Sequence, residues 1–550
     1  MAPESKDKPS TSDIELPATI GRLGHANGSS SSSANSDPGD VEGDLPPPPP
    51  VLDHFSTLSL IGTALSVLNT WNAATQSIYV SLPAGGNTSM LWGMIAGGMG
   101  SLLIASSLAE ICHVLPLTGG QYHWTYILAK PSARNSLSYL TGWLACSGWI
   151  VLTASAPYFA ASLTLSIISG FHPDYVSTSW QFFLVYMGYT LYGAIVCCFG
   201  ARIFDWMNRI SMWSSDASAI TIFLTLLACA ASEHRLNSAA FTFGNHINIT
   251  GWPDGVAWIL GLLQAQYALV GVDGAAHLVD EIHDAHVNSP KAMVFASLIG
   301  SLHGFVVLVA VAATMTDPLA IIDAGASAMM EAFTQGTGSL AGGTALTTLG
   351  LFTFTFNTPA LLTSASRMVQ SFAADGNLPA RTYISKTDAK HETPIWAVLF
   401  CTGWLTILGL LEFGSDLTLA AILNTSVVLI QFSYLPTIAL LMMNRKTFHL
   451  HARKPLKYSM GNRWGPIVNA LAFVYIVLTS LFFFFPTSVP LTSSEDMNWT
   501  VAVFSAVVFL AGLNWIFFAR HGARVPDEIR NKLGLDFDEH FAAQLETRAN

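Results

Sequence analysis

Between Phe55 and Phe518 the chain is built from apolar runs that recur at lengths of about 20 residues, enough to cross a ~30 Å hydrocarbon core as helix. Inside lipid, backbone N–H and C=O groups must find partners within their own segment or in a closed barrel. Runs of this length therefore demand helices. Composition agrees: of 550 residues, 51% are hydrophobic and 11% charged, against about 25% charged in soluble domains. An ordinary soluble enzyme and a disordered protein are both excluded. The net charge of −11 lies largely in the tails and in loops expected outside the cytosol. The basic footprint of a nucleic-acid binder is absent, so no nucleic-acid partner is expected. All six cysteines (Cys112, Cys146, Cys197, Cys198, Cys229, Cys401) lie in or beside apolar segments, which implies no extracellular disulfide framework.

Twelve spans are expected, at 55–81, 90–112, 137–168, 180–200, 208–231, 255–280, 290–315, 340–367, 394–413, 416–442, 466–485 and 498–518. The fold class is all-α and integral to the membrane, with the lipid bilayer as its solvent. A helical stretch is also expected around 326–333, on the outer surface. Residues 1–54, with a serine run and a proline run and nothing apolar enough for a core, read as a disordered tail. No apolar signal segment precedes Phe55, so the first span is expected to act as the targeting signal. Residues 55–520 form one helical domain, and 521–550 a second tail.

Basic residues orient the chain. With the N-terminus inside, the cytosolic loops hold fifteen Lys and Arg and the outer loops one, Arg235. Both termini then face the cytosol. Three glycosylation sequons, at Asn87, Asn248 and Asn498, fall on the outer side.

Loops this short leave no room for a soluble catalytic domain, so polar groups inside the spans become the functional candidates. Span one carries Asn69, Thr70, Asn72, Thr75 and Gln76 at mid-depth, side chains that compete with helix hydrogen bonds. In span six, Gly271 and Gly274 flank a carboxylate, Asp273. Two interrupted helices five spans apart fit an inverted-repeat transporter, whose half-helix ends and freed backbone groups make a mid-membrane site. The alternative is polar glue between helices. A carboxylate desolvated in a membrane can cycle a proton, which makes Asp273 a coupling candidate. Asp216, in span five past Arg209, either pairs with a cytosolic base, the favoured reading, or is a second proton site. No Gly-x4-Gly-Lys-Ser/Thr motif is present, so no ATP site and no cofactor are expected. His277, His283 and His286 are spaced by six and three, with no second box, and no metal site is expected. His277 stays a candidate proton relay.

Three motifs carry a resemblance. Gly271-Val-Asp-Gly-Ala-Ala-His-Leu-Val-Asp-Glu-Ile followed by Asn288-Ser-Pro-Lys-Ala-Met, Ala109-Glu-Ile-Cys-His-Val-Leu-Pro-Leu-Thr-Gly-Gly-Gln-Tyr, and Thr363-Ser-Ala-Ser-Arg with Phe372-Ala-Ala-Asp-Gly-Asn-Leu-Pro stand in the order found in fungal transporters. The chain resembles, over about residues 55–520, the fungal amino acid/choline transporters, which include GABA and choline permeases, within the amino acid–polyamine–organocation superfamily. That resemblance implies a five-plus-five inverted repeat with broken helices 1 and 6, followed by two extra helices. It implies substrate contacts from Asn69, Thr70, Trp71, Asn72 and Ala73, with the break at Trp71-Asn-Ala-Ala in place of the superfamily's common Gly-x-Gly. It also implies an aromatic gate at Tyr267, an unwound segment at Leu269, Val270 and Gly271, and proton coupling at Asp273. Trp71 and Tyr267 together offer aromatic faces to a cationic solute. Glu110 is expected as a cytosolic-gate salt-bridge partner, and Lys291 and Arg367 as interface anchors or gate charges. The expected activity is secondary active transport of an amino acid, GABA, a polyamine or choline, coupled to protons. The expected location is the plasma membrane, with the vacuole as alternative. A nutrient receptor on the same fold and a multi-span enzyme are the rival classes.

Overall fold

The computed structural model describes residues 57–172, 174–200, 203–414, 418–450, 458–491, 498–520, 526 and 528–530. The tail expected over 1–54 lies outside the described residues, as does most of 521–550. In chain order the helices are α1 (Thr57–Leu68), α2 (Thr70–Gln76), α3 (Ile78–Ser81), α4 (Gly93–Val114), α5 (Gln121–Leu128), α6 (Arg134–Phe171), α7 (Ser179–Phe199), α8 (Phe204–Ser232), α9 (Ala239–Gly244), α10 (Asp254–Gly261), α11 (Leu263–Leu269), α12 (Ala285–Thr314), α13 (Pro318–Asp323) and α14 (Ala328–Thr337). They continue with α15 (Leu340–Ala374), α16 (Arg381–Ile384), α17 (Ile395–Leu410), α18 (Thr418–Leu450), α19 (Gly461–Phe482) and α20 (Thr500–Asn514). Among the described residues there is no strand, only two isolated bridges, Ala84 with Asn248 and Asp388 with Thr393.

Eleven helical segments among the described residues are long and apolar enough to cross a membrane. They match the second to twelfth expected spans in order. The stretch expected as the first span is divided into α1, α2 and α3, none of which is long enough alone. The helix expected near 326–333 is α14, eased in by α13, whose Asp317 cap accepts from the N–H groups of Leu319 and Ala320.

Burial separates the centre of the bundle from its rim. The most apolar window of α6 is 89% buried, that of the last span 11%. Helix α6 is thus the central post, packed against α15 and α18. The last span, with Phe509, Phe517 and Phe518 outward, presents its side chains to lipid.

The side-chain amides of the three sequon asparagines all take part in loop hydrogen bonds. The amide nitrogen of Asn87, a buried residue, donates to the Phe241 carbonyl. That of Asn498 donates to the carbonyls of Phe483 and Phe485. That of Asn248 is held by the Trp252 carbonyl and by Asp254. Each of these amides thereby fastens a loop.

Candidate substrate and coupling site

The two breaks form by different local means. In span one the helix stops at Asn69, whose backbone is left-handed at φ 40. Asparagine is among the few non-glycine residues that tolerate this region. The break therefore sits two residues before the expected Trp71-Asn-Ala-Ala, and Thr70, Trp71, Asn72 and Ala73 begin the next helical turn. Carbonyls freed upstream are satisfied from α15: the Asn357 amide donates to the oxygens of Ser66 and Val67. In span six, α11 ends at Leu269, Val270 is extended, and Gly271 turns at φ 93 before a short 3₁₀ turn over Val272–Ala275. A Cβ on Gly271 would meet Leu152 and Trp149 of α6 at 3.3 Å. Its glycine is required both by the backbone angle and by the closeness of the central post.

Side chains at the span-one break leave hydrogen-bonding capacity unspent. Asn72 donates to the Gly350 carbonyl and to Thr353, both on α15, while its own oxygen stays buried and unpartnered. The amide nitrogen of Asn69 and the hydroxyl of Thr70 are likewise buried without a partner. Buried polar groups normally have one, so these three atoms stand out.

The aromatic pair expected to face a solute together is anchored by its polar ends on different helices. Trp71 turns its indole toward α8, donating to Ser215 at 2.8 Å. Tyr267 turns toward α6, its hydroxyl donating to Ser155 at 2.7 Å and its ring edge-on to Phe159. Phe159 in turn meets Phe354 of α15, so Tyr267 belongs to an aromatic wall joining three elements.

Asp273 is fully buried and accepts from four donors on four elements. These are the amide of Gln121, the indole of Trp149 at 3.0 Å, His277 at 3.0 Å and the hydroxyl of Tyr434. An ionised carboxylate is acceptor-only, and this surround is made for one. His277 faces a second acceptor through its other nitrogen, the Thr118 carbonyl at 2.9 Å. The structure thus brings the two coupling candidates, Asp273 and His277, together and adds Gln121, Trp149 and Tyr434. Gln121 lay within the quoted Gly-Gly-Gln-Tyr motif. One tryptophan among fifteen and one tyrosine among fourteen carry no comparable signal.

Asp216 corrects an expectation. It does not pair with Arg209, which takes Asp205 at 2.9 Å, one turn earlier on the same helix. Asp216 instead lies 3.6 Å from His303 on α12. The two line a cleft of about 10 Å³ with Asn69, Thr70, Trp71 and Ser215. The three spaced histidines also diverge: His277 holds Asp273, His283 lies beside Asp284, and the His286 carbonyl meets His113.

At the end of the bundle where α4, α15 and α18 finish, two ion pairs join distant elements. Glu110 takes both nitrogens of Arg445, at 2.7 and 2.9 Å. Arg367 takes Glu281 at 2.8 Å. Here too His123, on α5, is enclosed between Asp375 at 2.7 Å and Glu528 at 3.1 Å. Burial alone would lower its pKa, but the two carboxylates, Asp375 foremost, more than offset that and raise it from 6.5 to about 9. Tyr122, which also donates to Asp375, lies tilted against the imidazole ring, centroids 4.2 Å apart. Because the folded value is the higher one, the stability from His123 is fully present below about pH 6.5 and disappears as pH rises through about 9. The melting-temperature gap between the wild type and His123→Gln should accordingly be widest near pH 6 and narrow steadily toward pH 10.

Comparison with known proteins gives this architecture its class. The family model described as amino acid permease matches residues 52–508. The chain belongs to that family: it is an integral membrane transporter, not an enzyme. It is 28% identical over 484 residues to the transmembrane transporter swnT of Metarhizium robertsii, covering 86% of this chain and 92% of that one. It is 26% identical over 481 residues to the choline transporter of Saccharomyces cerevisiae, covering 87% and 84%. It is also 26% identical over 490 residues to the amino-acid permease BAT1 of Arabidopsis thaliana, covering 85% and 92%.

Proposed function

We propose that this transporter carries a small solute bearing an amino group and an acceptor group, of the amino acid or GABA type, by proton-coupled alternating access. The observation that carries the solute class is the pair of unspent groups at the span-one break. The Asn72 oxygen is a buried acceptor suited to an ammonium N–H, and the Asn69 nitrogen a buried donor suited to a carboxylate. Choline has no N–H to give. Names of relatives include both amino-acid and choline transport, and the orphaned groups favour the first.

The coupling reading rests on His277. Both its ring nitrogens face acceptors, the Asp273 carboxylate and the Thr118 carbonyl. A neutral imidazole donates through one nitrogen only. Both contacts are satisfied when the pair holds one extra proton, either as imidazolium beside carboxylate or as neutral imidazole accepting from a protonated Asp273. Three further donors serve the same carboxylate. Asp273 and His277 then form one unit that loads and releases a proton as span six moves. The excess of basic residues at the end bearing Arg445 and Arg367 supports placing that end in the cytosol. The ion pairs of Glu110 and Arg367 then act as the cytosolic gate, closed here, with the plasma membrane as the expected location.

Purified protein in proteoliposomes, tested with a panel of amino acids, GABA, polyamines and choline, checks this reading. Amino acids or GABA should show pH-gradient-driven net flux, with choline competing poorly. Choline as the sole transported solute would reject the assignment, and binding without net movement would favour a receptor.

A further inference from the structure

Past the last span, one carboxylate is built back into the bundle. Glu528 accepts the N–H of Thr118 at 2.8 Å and that of Gly119 at 3.4 Å, in the loop between α4 and α5. Its Oε2 lies 3.1 Å from Nδ1 of His123, whose Nε2 is 2.7 Å from Asp375 at the end of α15. The segment is seated rather than laid on the surface: the His123 side chain is fully enclosed, and Ile529, next to Glu528, is 1% exposed. Two backbone N–H groups and an imidazole converging on one carboxylate are a charge-assisted anion seat. Here its occupant is the chain's own C-terminal segment.

The seat lies directly behind the coupling unit. Thr118 gives its N–H to Glu528, its carbonyl to His277, and its hydroxyl to Asp280 at 2.6 Å. One residue thus links the tail to the second half of span six. That half cannot swing away from α5 unless His277 and Asp280 leave Thr118, and Glu528 fixes the loop they must leave. Glu528 is not the only group that holds this end: His123 also pairs with Asp375, and Glu110 with Arg445.

The geometry points to an intramolecular latch: the segment bearing Glu528 and Ile529 holds the end of the transporter with Arg445 and Arg367 closed and restrains opening of the second half of span six. Release of the tail, by a partner that captures it or by a modification that displaces it, frees that motion. The consequence for flux rests on the alternating-access reading, but the test below needs no substrate, so the two fail separately.

The test is hydrogen–deuterium exchange of the full chain in detergent or nanodiscs, followed at 276–284. Glu528→Gln keeps the side chain's shape and removes its charge. A chain ending at Arg520 removes the segment altogether. Loss of a charge-assisted contact of this kind should speed exchange at 276–284 by about fivefold or more. A synthetic peptide of residues 521–535 added to the shortened chain should slow it again, and the same peptide carrying Glu528→Gln should not. Unchanged exchange in both variants would overturn the latch. So would faster exchange that the wild-type peptide leaves unaltered, because that pattern reports general loosening rather than loss of a seated tail.

Discussion

Asp273→Asn is expected to abolish solute accumulation driven by a pH gradient while sparing part of the solute-for-solute exchange. The substitution conserves shape but exchanges an acceptor for a donor at the point where four donors meet. The introduced amide can keep its oxygen for Tyr434. Its nitrogen then faces Gln121, Trp149 and His277. His277 adapts by presenting a bare nitrogen to the new amide and keeping its proton toward Thr118, which fixes the ring as neutral. The pair has then lost the proton it carried, and the gradient has nothing to act on. Gln121 can turn its amide to offer the oxygen that is otherwise buried without a partner, but the indole of Trp149, a donor only, cannot adapt. Each buried donor without an acceptor costs about 1–3 kcal/mol, so the melting temperature should fall by several degrees without loss of the fold. The measurement is paired: accumulation under an imposed pH gradient, and counterflow without one. Full gradient-driven accumulation in the variant would move the coupling role to the other mid-membrane carboxylate, Asp216, with His303. Loss of both activities together with solute binding would make Asp273 a solute ligand instead.

What the sequence reveals of this centre follows from where the chemistry is local. Asp273 stands out because a carboxylate between two glycines inside an apolar run has few structural excuses, and its break falls where the glycines place it. Its partners come from the start of α5 and from α6 and α18, more than 100 residues away in chain distance. Nothing in the pattern around Trp149 or Tyr434 marks either as a donor to a buried anion. The span-one break is displaced for a related reason. Without glycine, the expectation follows the family register to Trp71, whereas the chain uses Asn69, whose ability to turn left-handed leaves no trace in hydrophobic periodicity. Asp216 shows how nearness in sequence misleads. Arg209 is its closest base along the helix, but seven residues do not bring two side chains into contact as four do, so Arg209 takes Asp205. His303, the actual neighbour, reaches it only through packing of α12 on α8. Glu110, by contrast, ends its span beside a recognisable loop, and Arg445 stands across from it.

That ion pair should give the largest stability effect in the protein. Glu110 is 1% exposed, and Arg445 reaches it with two parallel hydrogen bonds, a fork geometry that lysine cannot reproduce. Ser459 and the N–H of Met460 bond the same carboxylate, and the Gly461 carbonyl receives the guanidinium. Helix α19 makes room for this by carrying Gly465, where a Cβ would stand 1.7 Å from the guanidinium. Two elements distant in sequence are therefore joined through a desolvated charge pair. Arg445→Met removes the cation from a buried carboxylate, a change that typically costs about 3–5 kcal/mol. Glu110→Gln leaves the guanidinium uncompensated and should cost a similar amount. The double variant, with neither charge, should recover most of the loss, because the desolvation of both ions is relieved along with their attraction. A double-mutant cycle on melting temperature and surface abundance reads this directly, with a coupling of about 2–3 kcal/mol expected for groups in contact. If the pair also gates the transporter, the rescued double variant will be stable yet leak solute without a gradient. Additive losses, with the double variant worse than either single one, would mean that each residue acts through its other hydrogen bonds and that the pair holds nothing shut.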